Sequence, residues 1–303
     1  MSFSKIYKAI TEARSGPDHT PRLCVVGDGV EFSRVVAELS AGAEDATGGV
    51  SAALDALSPA DFPSHDAGTG RWDIVVLVAD GVTAEEAAPV VTGVRAAERQ
   101  LVAFVPVPHG SWTDPAGVLD DEVAHSLASD HGPTPTLENR IVRAAGDAAS
   151  ALVVQLPALR RAYCDHVVLA NATQNAVIGA VVIIPGADMP AMTANQIRMV
   201  LKIAAAFGEE LGLDRALEVL SVVGTAFVFR TLARQTLDFV PGFGWALKGA
   251  VGFTATVALG EAAIAYFEAG APLQLSRMQR INSQLERVRS RLPGFLRGGV
   301  ASG

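Results

Sequence analysis

Three short apolar runs constrain the first half of this chain most. They are Arg22–Val26 (RLCVV), Ile74–Val78 (IVVLV) and Leu101–Val107 (LVAFVPV), and each is followed within a few residues by a glycine. A strand with one wet face alternates polar and apolar residues. These runs do not alternate, so both faces of each strand must be covered. Helical patterns separate them. Glu31–Leu39 has apolar residues at Phe32, Val35, Val36 and Leu39, and Thr83–Arg99 has Glu85 and Glu86 in its first turn and Arg95 and Arg99 in its last. Buried strands alternating with helices predict an α/β domain with a parallel sheet over residues 18–145. Residues 41–71, rich in Ala, Gly, Ser and Asp, carry the least pattern.

Charge divides the chain. Residues 1–150 hold 10 Lys/Arg against 22 Asp/Glu, a balance of −12, and residues 151–303 hold 14 against 10, or +4. The last stretch, 272–303, carries six Arg and one Glu. The asymmetry predicts two domains and a basic tail. With 50% hydrophobic and 18% charged residues the chain is not of disordered type. Two cysteines cannot build a disulfide framework, and a net charge of −8 argues against nucleic acid as a partner. Residues 1–15 show no secretory pattern, and with so few cysteines a reducing cytoplasmic side is expected.

The first strand runs into Gly27-Asp28-Gly29-Val30-Glu31-Phe32-Ser33-Arg34. Strand, turn and helix in this order resemble a P-loop GTPase, whose G-x-x-x-x-G-K-[ST] turn cradles phosphate on backbone amides. Only the first glycine is kept. Phe32 replaces the second glycine, Ser33 the lysine and Arg34 the hydroxyl residue that holds magnesium, while Asp28 and Glu31 bring negative charge to the phosphate position. Trp72–Asp80 (WDIVVLVAD) resembles the GTPase strand that ends in an acidic residue. The next strand should end in Asn-Lys-x-Asp to read guanine, and it ends in Pro106-Val107-Pro108-His109. The resemblance is to a degenerate GTPase, and it implies that the usual nucleotide binding is lost. Any nucleotide site would be lined by Gly27, Asp28, Gly29, Ser33, Asp80 and His109, the last two at the carboxyl ends of neighbouring strands. A dinucleotide-binding reading of Gly27-x-Gly29-x-x-Phe32 fails at its third glycine.

The second half is apolar in three places: Val167–Ala187, Val219–Phe229 and Gly249–Phe267. A spanning helix needs roughly 20 mostly apolar residues. The first holds Asn171, Thr173, Gln174 and Asn175, the second is too short, and the third contains Glu261. None is a clean span, so the segments either form a buried helical core or lie against a membrane. Helices are expected at Ala149–Tyr163 (interrupted near Pro157), at His166–Ile184 and at Thr193–Phe207, where Asn195, Arg198 and Lys202 share a polar stripe. Further helices are expected at Arg215–Arg230, capped by Asp214, and at Gly249–Phe267. Gly249, Gly252, Thr256 and Gly260 place small residues on one stripe of the last helix and predict close approach of a second helix. Glu261 requires a partner, for which Lys248 and Arg230 are the candidates.

Ile184-Pro185-Gly186-Ala187-Asp188-Met189-Pro190, Gln196-Ile197-Arg198-Met199, Phe207-Gly208, the break at Val240–Gly244 and the small-residue stretch Thr254–Gly260 resemble a bacterial GTPase-associated domain of unknown function, found in YcjF-type inner-membrane proteins and behind GTPase domains. The resemblance covers roughly residues 150–270. It implies membrane association and no known catalytic residues.

From Leu275 the apolar residues Leu275, Met278, Ile281, Leu285, Val288 and Leu292 mark one helical face, with Arg277, Arg280, Arg287, Arg289 and Arg291 on the others. Such a helix over 272–292 packs on the acidic domain, meets anionic lipid or self-associates. Residues 293–303 read as a flexible tail. Cys164 and His166 stand two apart on a predicted helix and do not face each other, and the six histidines show no metal-ligand spacing. No catalytic residue, cofactor or metal is expected. The reading is of an α/β domain followed by an all-α apolar domain: a non-catalytic, membrane-associated regulatory or scaffolding pseudo-GTPase. It would be cytoplasmic, with the inner face of the cell membrane or anionic lipid as one partner and its own copies or another protein as the other. The alternatives are a divergent nucleotide hydrolase that needs a partner and a soluble homo-oligomeric interaction protein.

Overall fold

In the computed structural model, β1 (Leu23–Val26) is buried throughout and lies between two neighbours, β2 (Leu54–Leu57) and β3 (Ile74–Val78). The structure describes residues 21–43, 53–62, 71–106, 118–130, 136–181, 189–209 and 244–270. With β4 (Gln100–Phe104) and β5 (Val123–Ala124) the strands form a five-stranded sheet of order β2-β1-β3-β4-β5, parallel at every pairing. The alternation rule then divides the side chains. Cys24, Val26, Val75, Leu77 and Leu101 join Trp72 and Phe62 in a core with Ala87, Val90, Val91 and Val94 of α2 (Ala84–Ala96). The opposite face packs on α1 (Gly29–Ser40) and α3 (Leu137–Ala145). Both faces are covered, which is why the three expected strands show no alternation.

Two strands carry no sequence signal. β2 (LDAL) has no β-branched residue and lies at the sheet edge. Tertiary contacts hold it: Trp72 Nε1 donates to Asp55 Oδ2 at 2.6 Å and Arg22 pairs with the same oxygen at 2.9 Å. β5 is two residues long at the other edge. The third expected strand is shorter than its apolar run and ends at Phe104. Thr83 begins α2 with a reciprocal cap: its N–H donates to Glu86 Oε2 at 2.8 Å and its Oγ1 accepts from the Glu86 N–H at 3.3 Å.

Beyond the sheet the described residues are helical: α4 (Ala149–Gln155), a 3-10 turn at Pro157–Leu159, α5 (Arg160–Val181), α6 (Met189–Ala206) and α7 (Gly244–Glu268). Helix α5 starts six residues before the expected His166, because the interruption at Pro157 is over by Arg160. Arg160 ties the start of α5 to the end of α6. Its Nε donates to the Ala206 carbonyl at 2.8 Å and its guanidinium lies 4.8 Å from the Phe207 ring centre. On the polar stripe of α6, Asn195 is buried while Arg198 and Lys202 are half-buried. Glu261 pairs with Arg161 of α5 at 3.0 Å, a residue that was not among the two expected candidates, and Arg230 and the Lys248 side chain lie outside the described residues. The expected helix at Arg215–Arg230 with its Asp214 cap, and the whole basic segment 272–292, lie outside the described residues. Residues Met1–Ile264 form one compact unit and Ala265–Gly303 a second, and the elements above belong to the first except for the last residues of α7.

Glu138, in the first turn of α3, is 1% exposed and accepts from the Ala128 N–H at 2.9 Å. Burial raises its carboxyl above the usual range. The hydrogen bonds from its own N–H, Ala128 and Thr136 offset part of this, and the charge on Glu38 adds to it. A raised native value favours the folded state at low pH, and that contribution is lost as pH rises through it. The melting temperature of Glu138→Gln minus that of the parent will therefore grow from about pH 4 to pH 7. A difference that shrinks over that range contradicts the assignment.

Candidate functional site

Strand order 2-1-3-4-5 reverses direction between β1 and β3, and in open parallel sheets ligands bind outside the carboxyl ends of the strands at that point. Two turns meet there, Gly27-Asp28-Gly29 after β1 and Ala79-Asp80-Gly81 after β3. Gly27 makes the meeting possible. A Cβ on it would lie 2.9 Å from Val78 Cβ and 3.1 Å from Phe32 Cδ2, and its N–H donates to the Leu57 carbonyl at 3.1 Å. Gly81, at φ +75°, approaches the Asp28 carbonyl: its Cβ would be 3.7 Å from that oxygen. The structure thus brings Gly27, Asp28, Gly29 and Asp80 to one rim. His109 lies outside the described residues.

The chemistry of the rim follows from what occupies the α1 N-terminus. Asp28 is the N-cap of α1, and its Oδ1 accepts from the Gly29 N–H at 2.7 Å. A helix N-terminus offers its amides and its dipole to an anion. Here the anion is the chain's own carboxylate, one residue upstream. Ser33, in the lysine position of the P-loop pattern, turns its hydroxyl back to donate to the Gly29 carbonyl at 3.0 Å. Arg34, in the magnesium-ligand position, is ion-paired with Asp130 and, at 3.2 Å, with Glu31. Phe32 closes on Gly27. The sequence has no lysine between Lys8 and Lys202, so the sheet segments supply no replacement for the P-loop lysine. Among the described residues no three His, Cys, Asp or Glu side chains gather as a metal set. Cys24 is fully buried and its thiol is pushed up to about 12 by that burial and by Asp55, which removes it as a nucleophile. Cys164 is buried as well.

The small-residue stripe of α7 faces α5. A Cβ on Gly249 would lie 3.1 Å from the Ala176 carbonyl, one on Gly252 3.0 Å from the Asn175 carbonyl, and one on Gly260 2.8 Å from Val168 Cγ1. Thr256 is fully buried and hydrogen-bonded to Asn175 of α5 at 2.8 Å. The two helices run antiparallel, since Val168 meets Gly260 while Ala176 meets Gly249. At the Val168 end Arg161 bridges Asp165 of its own helix at 3.0 Å and Glu261 of α7 at 3.0 Å, and all three side chains are about half-exposed. Sequence reasoning missed this partner because Arg161 is 100 residues away and on another helix. One described helix segment, Gly249–Glu268, is long and apolar enough to cross a membrane by length and composition, and 39% of its most apolar window is buried. The basic residues Arg277, Arg280, Arg287, Arg289 and Arg291 lie outside the described residues.

No protein-family model matches the chain, and comparison with curated proteins finds no match.

Two glycines are predicted to be irreplaceable for packing reasons. Gly27→Ala and Gly260→Ala will each cost about 1–3 kcal/mol in chemical denaturation, because neither Val78 nor Val168 can withdraw from a new Cβ without moving backbone. A loss below about 0.5 kcal/mol for either, within the range of ordinary surface changes, refutes the close approach at that site.

Proposed function

We propose that this chain is a non-catalytic regulatory or scaffolding protein, associated with a membrane surface, whose GTPase-like domain has given up nucleotide chemistry. The observation that carries the reading is the Asp28 carboxylate on the α1 N-terminus, where a P-loop would hold phosphate. Two further features support it. The residues standing at the lysine and magnesium-ligand positions, Ser33 and Arg34, are committed to internal partners. A nucleotide triphosphate at this rim would also meet the charges of Asp28, Glu31 and Asp80 with no lysine to offset them. On this reading the α/β domain is an interaction platform that keeps the shape of a switch without its ligand.

The membrane part of the reading rests on the basic amphipathic pattern at 272–292 and on the resemblance of residues 150–270 to the YcjF-type domain. The exposed Arg161–Asp165–Glu261 cluster on the α5/α7 surface favours association at the surface over a crossing by α7, because ionised groups at mid-span are costly in lipid. A second reading, a soluble interaction protein that associates with its own copies, is favoured by the hydrogen-bonded Asn175, Asn195 and Thr256 side chains inside the helical region.

Thermal shift with millimolar GTP or GDP and magnesium tests the first half of the proposal. A ligand at a hundred times its Kd stabilises by about 2.7 kcal/mol, and no upward shift is expected here. A clear stabilisation would return the chain to the nucleotide hydrolases. Sedimentation with anionic vesicles tests the second half. Binding at low salt is expected to fall in high salt, and Arg287→Gln, Arg289→Gln and Arg291→Gln together should weaken it roughly 100-fold, at about 1 kcal/mol per arginine. Protein that stays in the supernatant at low salt contradicts membrane association and leaves the soluble reading.

A further inference from the structure

Helices α5, α6 and α7 meet at one buried polar chain. Asn195 Nδ2 of α6 donates to Asn175 Oδ1 at 2.9 Å and to the Asn171 carbonyl at 3.1 Å. Asn175 Nδ2 of α5 donates to Thr256 Oγ1 at 2.8 Å, and the Thr256 hydroxyl donates in turn to the Gly252 carbonyl of α7 at 2.8 Å. Asn175 and Thr256 are fully buried, and Asn195 is 6% exposed. Every link has one donor and one acceptor, so the chain of bonds has a single direction. It begins on α6, passes through α5 and ends on the backbone of α7.

Packing sets part of the register of α7, since a one-turn slide would bring Thr256 or Ile264 against Val168 in place of Gly260. The polar chain adds a second, directional condition. The inward stripe of α7 repeats small residues at Gly249, Gly252, Thr256 and Gly260, and a glycine lies within one turn of Thr256 on either side. A slide of one helical turn, about 5.4 Å, would bring Gly252 or Gly260 opposite Asn175. Neither has a hydroxyl, so the Asn175 amide would be left buried and unpaired. Thr256 is the one residue of the stripe that can accept this bond. A buried polar contact that is satisfied in one alignment only is a device for specificity, not for gross stability.

We propose that the Asn195–Asn175–Thr256 chain is a register lock. It fixes α7 against α5 and α6, and it keeps the small-residue stripe of α7 turned inward and away from the stripe of another copy, with which it would otherwise pair.

The test uses the full chain carrying Ala180→Cys and Gly249→Cys. A Cβ at 249 lies 3.5 Å from Ala180 Cβ, within the span a disulfide bridges, and the two native cysteines are buried. Oxidation of this pair is expected to go nearly to completion. Adding Thr256→Val, which keeps the shape and deletes the hydroxyl, should cut the intramolecular yield several-fold with helix content by circular dichroism unchanged. Some of the lost yield should reappear as cross-linked dimer. Adding Thr256→Ser instead should keep the parent yield. Equal yields for the valine and serine variants would overturn the lock. A valine variant that loses its helix content would overturn it too, because the chain of bonds would then serve folding, not register. Failure of the parent pair to oxidise with helix content and melting temperature equal to those of the chain without the two cysteines would overturn the α5–α7 alignment itself.

Discussion

At the carboxyl end of β1 the chain places a carboxylate on the helix N-terminus that follows, and the behaviour of the α/β half depends on that one contact. Asp28 reaches the Gly29 amide at 2.7 Å across a turn that Gly27 alone can make, with Val78 pressed against the position a side chain would take. The contact satisfies the first amide of α1. It also puts the chain's own carboxyl group at the helix N-terminus, the end whose dipole favours an anion. Ser33 and Arg34, close to it, each take an internal partner as well. The parallel sheet keeps its switch point between β1 and β3, and the rim there is acidic.

The helical half solves a different problem. Half of the chain is hydrophobic, and its mean hydropathy is +0.30. Much of the excess sits in α5, α6 and α7, where α5 and α7 approach closely enough that backbone carbonyls take the place of side-chain neighbours. Close approach through glycine sets part of the alignment, because only Gly260 leaves room for Val168. Polar groups add direction: the Asn–Asn–Thr chain in the interior and the Arg161 bridge at the surface. A helix that looks like a membrane span by composition thus has one face matched to α5 in detail.

Much of the first half was legible because its signals are local. Unbroken apolar runs mark strands covered on both faces, and Thr83 with Glu86 marks a helix start. The edge strand β2 was not legible, since LDAL has neither the composition nor the alternation of a strand and depends on Trp72 and Arg22 reaching Asp55. The same division holds for the candidate sites. Gly27, Asp28, Gly29 and Asp80 could be picked from strand ends, because the topology of a parallel sheet places strand ends together. That the Asp28 side chain turns onto its own helix could not. Neither could the Arg161–Glu261 pair or the burial of Asn195, because α5, α6 and α7 are brought together over 20 to 100 residues of chain and no local pattern encodes which faces meet.

The central claim is that an internal carboxylate holds the α1 N-terminus and leaves no anion site there. The most direct measurement follows the backbone amide resonances of Gly29 and Gly81 in labelled protein while GTP and magnesium are added to millimolar concentration. The account predicts that both stay fixed. A saturable shift of either one would mean that phosphate displaces Asp28, and would contradict it.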